Sequence, residues 1–276
     1  MKIIFPIVAS LLINPSILQG QVQQSRPFIL GRIDSIRSIH WKESRILNIY
    51  LPADYDKDSL TRYPVIYLLD GSADEDFIHI AGLVQYLNFP WINILPKSIL
   101  VGIANQDRRR DFTFPTNNQK DKKASPSSGG SGNFIDFLEK ELQPFIESRY
   151  RVKAPKTLIG ESLGGLLAAE ILFTKPRLFD QYIIVSPSLW WNDESLLKTN
   201  PSVSGSGNLS GVKVFVSAGN EGTQMAKDID AFMNILQKMK SRGVQSFYVG
   251  FPKETHATIF HRAVYKGFEI LDSQTK

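Results

Sequence analysis

A serine between glycines, Ser162 in the stretch LIGESLGG, is the residue of this chain best suited to nucleophilic chemistry. The stretch fits the pattern G-x-S-x-G, in which small neighbours let a tight turn hold the hydroxyl above the edge of a sheet. An apolar run (157–159) precedes the turn, and a helical pattern (163–173) follows it. This order predicts a nucleophile elbow at Ser162, and the alternative is an ordinary serine N-cap in a glycine-rich corner.

A serine hydroxyl needs a general base to take its proton, and the chain has four histidines that could serve. His40 and His79 precede the serine. His256 stands in FYVGFPKETHATIF, in the loop after a strand-like run at 246–251, as the chain order nucleophile, acid, base requires. We predict that His256 is the base; His261, within the predicted terminal helix, is the alternative.

The base in turn needs an acid that fixes its tautomer and stabilises its charged form. Glu221 in SAGNEG follows the strand-like run at 212–217 and is the predicted acid. Asp228 is the alternative; it lies slightly later with Asp230, on a helix whose exposed face also suits them. A weak or absent acid is the third possibility.

A tetrahedral oxyanion must be met by backbone N–H groups that are already in place. The residue after the nucleophile, Leu163, supplies one such donor. The second is expected from the loop after the strand-like run in YLLDGSADEDF, where Ser72 is the predicted donor. The alternative for Ser72 is a polar turn without a ligand.

Hydrophobic patterning indicates the elements that must position these groups. Most strand-like runs are continuous rather than alternating, which favours strands buried on both faces of a mainly parallel sheet. The predicted strands are 45–51, 65–69, 98–103, 157–159, 182–185, 212–217 and 246–251. The predicted helices are 134–150, 163–173, 225–239 and 259–271.

Alternating strands and helices over the later two-thirds of the chain predict βαβ crossovers. The first strands have no long helices between them and predict an antiparallel start. The expected fold class is therefore α/β, with one domain over 21–276 and helices on both faces of the sheet. Two polar Gly- and Pro-rich stretches, 116–133 and 199–211, interrupt the pattern, and 116–133 is either a flap over the site or a surface insertion.

Composition limits the classes of function. The chain has 276 residues, a net charge of +5 and no cysteine, which excludes disulfides, a cysteine metal site and a thiol nucleophile. Its basic residues are scattered apart from 108–110 and 120–123, so a nucleic-acid partner is not expected. We also expect no metal or other cofactor.

The first twenty residues, MKIIFPIVASLLINPSILQG, combine one positive charge with an apolar run interrupted by Pro6 and Pro15. This pattern predicts a secretory signal over 1–20 that is cleaved near Gly20 and directs the protein to the periplasm or outside the cell. A membrane-spanning helix requires about 20 apolar residues without such breaks. A retained membrane anchor is the alternative, and no stable insertion is expected once the signal is removed.

Six ordered stretches together resemble the esterase family of α/β-hydrolases, over roughly 46–271. They are RYPVIYLLDGSADEDF, LVGIANQDRRRDFTFP, FIDFLEKELQPFIESRYRV, LIGESLGGLLAAEILF, IIVSPSLWWNDESLL and ETHATIFHRAVYKGFEIL. The family includes siderophore esterases, S-formylglutathione hydrolase, and feruloyl and acetylxylan esterases. The stretch SPSLWW is similar to the siderophore-esterase branch, and the resemblance implies an α/β-hydrolase fold.

By position, the resemblance implies the same nucleophile, base and oxyanion donors as the spacing does. It adds Arg108 as a substrate-pocket residue; the alternative is a surface ion pair with Asp107 or Asp111. It also adds Trp190 and Trp191 as an aromatic wall for the substrate, or alternatively a buried aromatic plug. The chain departs from the family at Glu161, where the family more often has histidine.

The resulting hypothesis is a serine carboxylic ester hydrolase that works through an acyl-enzyme, on a siderophore-type or carbohydrate-linked ester. An acyltransferase would use the same residues with an alcohol as acceptor in place of water. A ligand-binding protein that keeps the fold without catalysis belongs to another class; such proteins usually lose the nucleophile or the base, and both are present here.

Overall fold

The computed structural model describes residues 25–39, 41–57, 59–199 and 207–273, so the predicted signal over 1–20 lies outside the described residues. A sheet of eight strands runs through the centre of the described chain. The strands are β1 (Arg32–Arg37), β2 (Ser44–Tyr50), β3 (Tyr63–Leu68), β4 (Ile99–Ile103), β5 (Val152–Glu161), β6 (Gln181–Val185), β7 (Lys213–Gly219) and β8 (Gln245–Phe251).

The strand order in the sheet is β1-β2-β4-β3-β5-β6-β7-β8. β2 pairs antiparallel with β1 and β4, and every other pair is parallel, which confirms the predicted mainly parallel sheet with an antiparallel start. β3, β4 and β6 are buried along their whole length, as continuous apolar runs indicate. The edge strand β1 was not predicted, because its sequence RIDSIR is mostly polar and exposed.

Helices occupy both faces of this sheet. They are α1 (Phe77–Leu87), α2 (Arg108–Phe112), α3 (Gln119–Ala124), α4 (Ser131–Phe137), α5 (Gln143–Arg149), α6 (Leu163–Thr174), α7 (Trp191–Glu194), α8 (Gly222–Met239) and α9 (Phe260–Ser273). The apolar residues of α1 and α9 share one buried cluster with the sheet. Those of α4, α5, α6 and α8 share a second cluster on the opposite face. Both faces are therefore covered, as the parallel strands require.

Three predicted elements differ from the structure. The predicted helix at 134–150 is divided by a π-helical segment (Leu138–Leu142) that joins α4 to α5. The polar stretch 116–133 carries the short helix α3 and the start of α4. β5 begins at Val152 and not at 157 as predicted, because the polar, proline-containing residues before 157 also pair with β3. No helix in the described ranges is both long enough and apolar enough to cross a membrane.

Candidate active site

The turn at Ser162 has the strained backbone of a nucleophile elbow. Ser162 has φ 57° and ψ −117°, a region that residues with a side chain rarely occupy, and α6 begins at the next residue. The turn is tight enough that a Cβ on Gly160 would lie 2.4 Å from the carbonyl oxygen of Gly164. Strand, turn and helix therefore follow in the predicted order, and glycine is required at 160 because the backbone approaches so closely.

Neighbouring strands bring the other polar groups to the same edge of the sheet. β5, β6, β7 and β8 are parallel and adjacent, so their carboxyl ends meet at one edge. Ser162, Ser186, Glu221 and His256 each follow one of these strands in turn. The chain order of the four residues is thus also their order across the sheet.

Glu221 and His256 are in direct contact at this edge. His256 Nδ1 lies 2.5 Å from Glu221 Oε2. The other oxygen, Glu221 Oε1, accepts hydrogen bonds from the hydroxyl of Ser186 at 2.5 Å and from the N–H of Gly219 at 3.0 Å. The carboxylate is nearly buried, whereas 46% of the histidine side chain is exposed. The acid is therefore held rigidly, and the far side of the imidazole remains accessible.

The alternative base and acid lie elsewhere. His261 packs its ring against His79, with 5.2 Å between the ring centroids. Asp228 is buried on α8, where its Oδ1 accepts a hydrogen bond from Gln224. The contacts of His256 and Glu221 with each other favour this pair over His261 and Asp228.

The hydroxyl of Ser162 has a second serine beside it. Ser162 Oγ lies 3.3 Å from Ser188 Oγ, and the backbone N–H of Ser188 donates to the Ser162 carbonyl. Sequence reasoning missed both Ser186 and Ser188. The available signal was their position directly after the strand-like run at 182–185, at the same sheet edge as the predicted nucleophile.

The two predicted oxyanion donors lie on the turns that follow the adjacent strands β3 and β5. The N–H of Leu163 lies in the first turn of α6, where it has no acceptor within the helix. Ser72 follows β3, and its N–H donates at 3.3 Å to the exposed carboxylate of Glu75. Ser72 and Glu75 thus form the second half of a capping box, S-x-x-E, around the turn before α1.

Arg108 does not pair with Asp107 or Asp111, the local partners that the sequence offers. Its Nε and Nη2 donate to the two carboxylate oxygens of Asp70, at 2.6 and 2.9 Å. Asp111 is instead buried against Arg45.

The other two arginines of the basic run also have acceptors within the chain. Arg109 donates to the carbonyl of Ala124, and Arg110 pairs with Glu43 and Asp111. Each guanidinium of the run 108–110 therefore donates to an oxygen of this chain, and those of Arg108 and Arg110 are paired with carboxylates.

The two tryptophans differ in exposure. Trp191 is buried, and its indole N–H donates to the carbonyl of Phe114, as in the plug alternative. Trp190 is 45% exposed, two residues after Ser188, and is the one of the two that can form a wall. The stretch 116–133 packs against this turn, because the side chain of Asn192 accepts from the N–H of Asn117.

Glu161, directly before the nucleophile, lies among other acids. Burial and the nearby charges of Asp76, Asp70 and Glu221 raise the pKa of Glu161 to about 8, although Arg108 opposes the shift. Burial and neighbouring acids likewise raise the pKa of Asp76 to about 6. One oxygen of Glu161 is buried without a hydrogen-bond partner, which suits a carboxyl that is neutral at pH 7.

Glu161→Gln is expected to change how stability depends on pH. The folded-state pKa of Glu161, about 8, exceeds the ordinary value of 4.5, so folding favours the protonated form. This contribution is complete below pH 4.5 and is lost as pH rises through 8. The wild type should therefore lose free energy of unfolding over this range relative to Glu161→Gln, as measured by urea unfolding at pH 5 to 9. Equal slopes in the two proteins would contradict the assignment.

Within the described ranges, no group of three or more His, Cys, Asp or Glu residues is arranged to hold a metal ion. The polar groups at this edge are a hydroxyl on a strained turn, a histidine–carboxylate pair and N–H groups on the turns after β3 and β5, which are the types of group that a serine hydrolase uses.

Comparisons with known proteins identify the family of this chain. Residues 38–261 match the family described as "Putative esterase". The chain is 30% identical over 236 residues to ferri-bacillibactin esterase BesA of Bacillus subtilis (strain 168), covering 79% of this chain and 81% of that protein. It is 35% identical over 151 residues to a siderophore triacetylfusarinine C esterase of Aspergillus fumigatus, covering 49% of this chain and 47% of that protein.

A solved structure of an IroE-like serine hydrolase from Shewanella oneidensis superposes with a TM-score of 0.79 and 33% identity. The match covers 89% of this chain and 81% of that one. By the family match and these likenesses, the chain belongs to the esterase family and is a carboxylic ester hydrolase.

Proposed function

We propose that the protein hydrolyses siderophore-type esters through an acyl-enzyme, with Ser162 as nucleophile, His256 as base and Glu221 as acid. The observation that carries the residue roles is the 2.5 Å contact between His256 Nδ1 and Glu221 Oε2, on loops adjacent to the strained Ser162 turn. The Nδ1–H donated to Glu221 leaves Nε2 unprotonated, as a general base requires.

In the first half of the reaction, Ser162 Oγ attacks the ester carbonyl while His256 Nε2 takes the hydroxyl proton. Glu221 stabilises the imidazolium that forms. When the tetrahedral intermediate collapses, the bond to the leaving alkoxide breaks, and the imidazolium returns its proton to that oxygen. The products of this half are an alcohol and an ester on Ser162.

The negative oxygen of the intermediate lies between the N–H groups of Ser72 and Leu163. Glu75 accepts from Ser72 at 3.3 Å and also from the side chain of Asn105 at 3.0 and 3.3 Å, so its carboxylate has to leave the Ser72 N–H before the oxyanion can replace it. A hydrogen bond to a charged group contributes about 1.5–3 kcal/mol, and the bond from Ser72 to the negative oxygen replaces the lost one with a bond of the same kind.

In the second half, water replaces the alcohol as the reacting group. His256 takes a proton from the water as its oxygen attacks the acyl carbonyl. Collapse of this intermediate breaks the bond to Ser162, which regains its proton from His256. The acid product leaves, and the starting protonation states are restored.

The substrate class rests on the named relatives. BesA is a ferri-bacillibactin esterase, the Aspergillus fumigatus relative acts on triacetylfusarinine C, and an apo-salmochelin esterase of Escherichia coli is 26% identical over 215 residues. The half-exposed Trp190, two residues after Ser188, offers an aromatic surface for such a ligand.

A substrate profile tests this proposal. Turnover should be measured on a catecholate trilactone and a hydroxamate siderophore ester, each with and without ferric iron, beside feruloyl and acetyl-sugar esters. We expect one of the siderophore esters to have a kcat/KM at least about tenfold above the sugar-linked esters, and Ser162→Ala to remove turnover of all of them. Acceptance of the sugar-linked esters alone would contradict the siderophore assignment and keep the esterase.

We also propose that the protein is exported. The pattern of the first twenty residues supports this, because a single positive charge precedes a short apolar run. The mature protein recovered from the periplasm or the medium should begin near residue 21 by mass spectrometry. An intact amino terminus on cytoplasmic protein would contradict export.

A further inference from the structure

We propose that Arg108 is a positioning residue that holds the oxyanion loop, residues 70–72, against the nucleophile elbow, and that it is not a ligand of the substrate. The proposal rests on the esterase mechanism proposed above. It replaces the substrate-pocket role that the family resemblance implies for Arg108.

The first contact of Arg108 reaches the start of the oxyanion loop. Its Nε and Nη2 donate to Oδ1 and Oδ2 of Asp70, at 2.6 and 2.9 Å, which is the parallel two-bond geometry of a guanidinium with a carboxylate. Asp70 itself has φ 53°, and Ser72, the predicted oxyanion donor, follows two residues later. Arg108 therefore stabilises Asp70, whose left-handed backbone conformation sets the direction of the loop.

The second contact reaches the elbow. Arg108 Nη2 also donates at 3.3 Å to the carbonyl oxygen of Glu161, the residue directly before Ser162. One guanidinium thus bonds the loop that carries one oxyanion donor and the turn that carries the nucleophile and the other donor, Leu163. Because oxyanion stabilisation depends on the spacing of the two donors, this contact bears directly on catalysis.

Further contacts hold the oxyanion loop, and one of them reaches Asp70 as well: the side chain of Asn105 donates to Asp70 Oδ1 at 2.6 Å. The side chain of Asn48 in β2 donates to the carbonyl of Gly71, and the N–H of Gly71 donates to the carbonyl of Ile103 in β4. These bonds hold the loop to strands on the side away from β5. Arg108 supplies the side-chain connection toward the elbow.

The surroundings of Arg108 also argue against a role in binding an anion. Its charge is paired with Asp70 and lies near Glu75 and Glu161, and only about a third of its side chain is exposed. The guanidinium carbon lies 5.5 Å from the ring centre of Phe112, which limits rotation of the side chain. An anionic substrate group would have to displace a carboxylate that is already bonded twice.

Steady-state kinetics on two esters separate the two roles. The variants are Arg108→Gln, Arg108→Lys, Asp70→Asn and the double variant Arg108→Gln/Asp70→Asn; asparagine tolerates the left-handed backbone at position 70. The substrates are p-nitrophenyl butyrate and a p-nitrophenyl ester whose acyl chain ends in a carboxylate. Arg109→Gln, on the same helix, is the control and should match the wild type.

We expect Arg108→Gln to lower kcat about 10- to 100-fold on both esters with KM within about threefold of the wild type, since losing an oxyanion donor outright costs about 10²- to 10³-fold. Asp70→Asn should give a similar loss, and the double variant should be no worse than either single variant, because the two residues act as one unit. Arg108→Lys, which cannot make both bonds, should be intermediate.

A rise in KM confined to the carboxylate ester, with kcat kept on the neutral ester, would overturn the proposal and make Arg108 a substrate ligand. Wild-type kcat in Arg108→Gln would overturn it as well. If Arg108→Gln does not fold by circular dichroism, Asp70→Asn and Arg108→Lys decide by the same criteria. If the wild type is inert toward both esters, the proposed function itself is contradicted. If the wild type is active and Arg108→Gln has the same kcat, only the role of Arg108 is contradicted.

Discussion

Ser162→Ala is expected to lower kcat by about 10⁵-fold or more and to abolish labelling by a fluorophosphonate probe. The serine oxygen bonds to the phosphorus of the probe and displaces fluoride, so labelling reports the nucleophile directly. Loss of a nucleophilic serine costs about 10⁶-fold in kcat in a well-characterised serine protease. The measurements are turnover of p-nitrophenyl butyrate and gel fluorescence after exposure to the probe.

Ser188→Ala is the matched control, because Ser188 Oγ lies 3.3 Å from Ser162 Oγ and is the other hydroxyl that the probe could meet. This variant loses a neighbour of the nucleophile and should still be labelled, with kcat lowered about tenfold or less. Labelling that survives in Ser162→Ala but not in Ser188→Ala would move the nucleophile to Ser188.

Glu221→Gln is expected to lower kcat by about 10⁴-fold while the protein stays folded. Glu221 Oε1 accepts from Ser186 and from the Gly219 N–H, so the carbonyl oxygen of a glutamine should take this position. Its NH₂ group then faces His256 Nδ1 and forces Nδ1 to act as an acceptor. The imidazole proton moves to Nε2, which can no longer take a proton from Ser162.

Asp228→Asn provides the comparison, since Asp228 is the alternative to Glu221 that the sequence offers for the acid. Its contact is to Gln224 within the same helix, so kcat should stay within about twofold of the wild type. A wild-type kcat in Glu221→Gln together with a large loss in Asp228→Asn would reverse the assignment. Normal turnover in both variants would indicate a serine–histidine dyad.

Much of the fold could be predicted because buried parallel strands are recognisable as continuous apolar runs. All seven predicted strands are present. The edge strand β1 could not be predicted, because one edge faces solvent and its polar sequence carries no such run. The π-helical segment inside 134–150 keeps an apolar face and therefore has the sequence pattern of an ordinary helix.

The site was partly predictable for a related reason. The order of strands indicated the loops that meet, and hence Ser162 and His256. It favoured Glu221 over Asp228 by position alone, because the contact of the acid with His256 depends on side-chain direction at the start of α8. The sequence also could not predict that Arg108 pairs with Asp70, which is 38 residues away, because two other aspartates lie within three residues of Arg108.

The strands β5, β6, β7 and β8 lie in the sheet in the same order as in the chain, and this order has a consequence for biosynthesis. The elbow follows β5, and the base arrives only with β8, which is the outermost strand and pairs with β7 alone. A nascent chain can fold from its amino-terminal side while synthesis continues. Until β8 joins the sheet, such a chain carries the proposed nucleophile, Ser162, without its proposed base, His256. On these proposed roles the site is complete only once β8 has paired with β7.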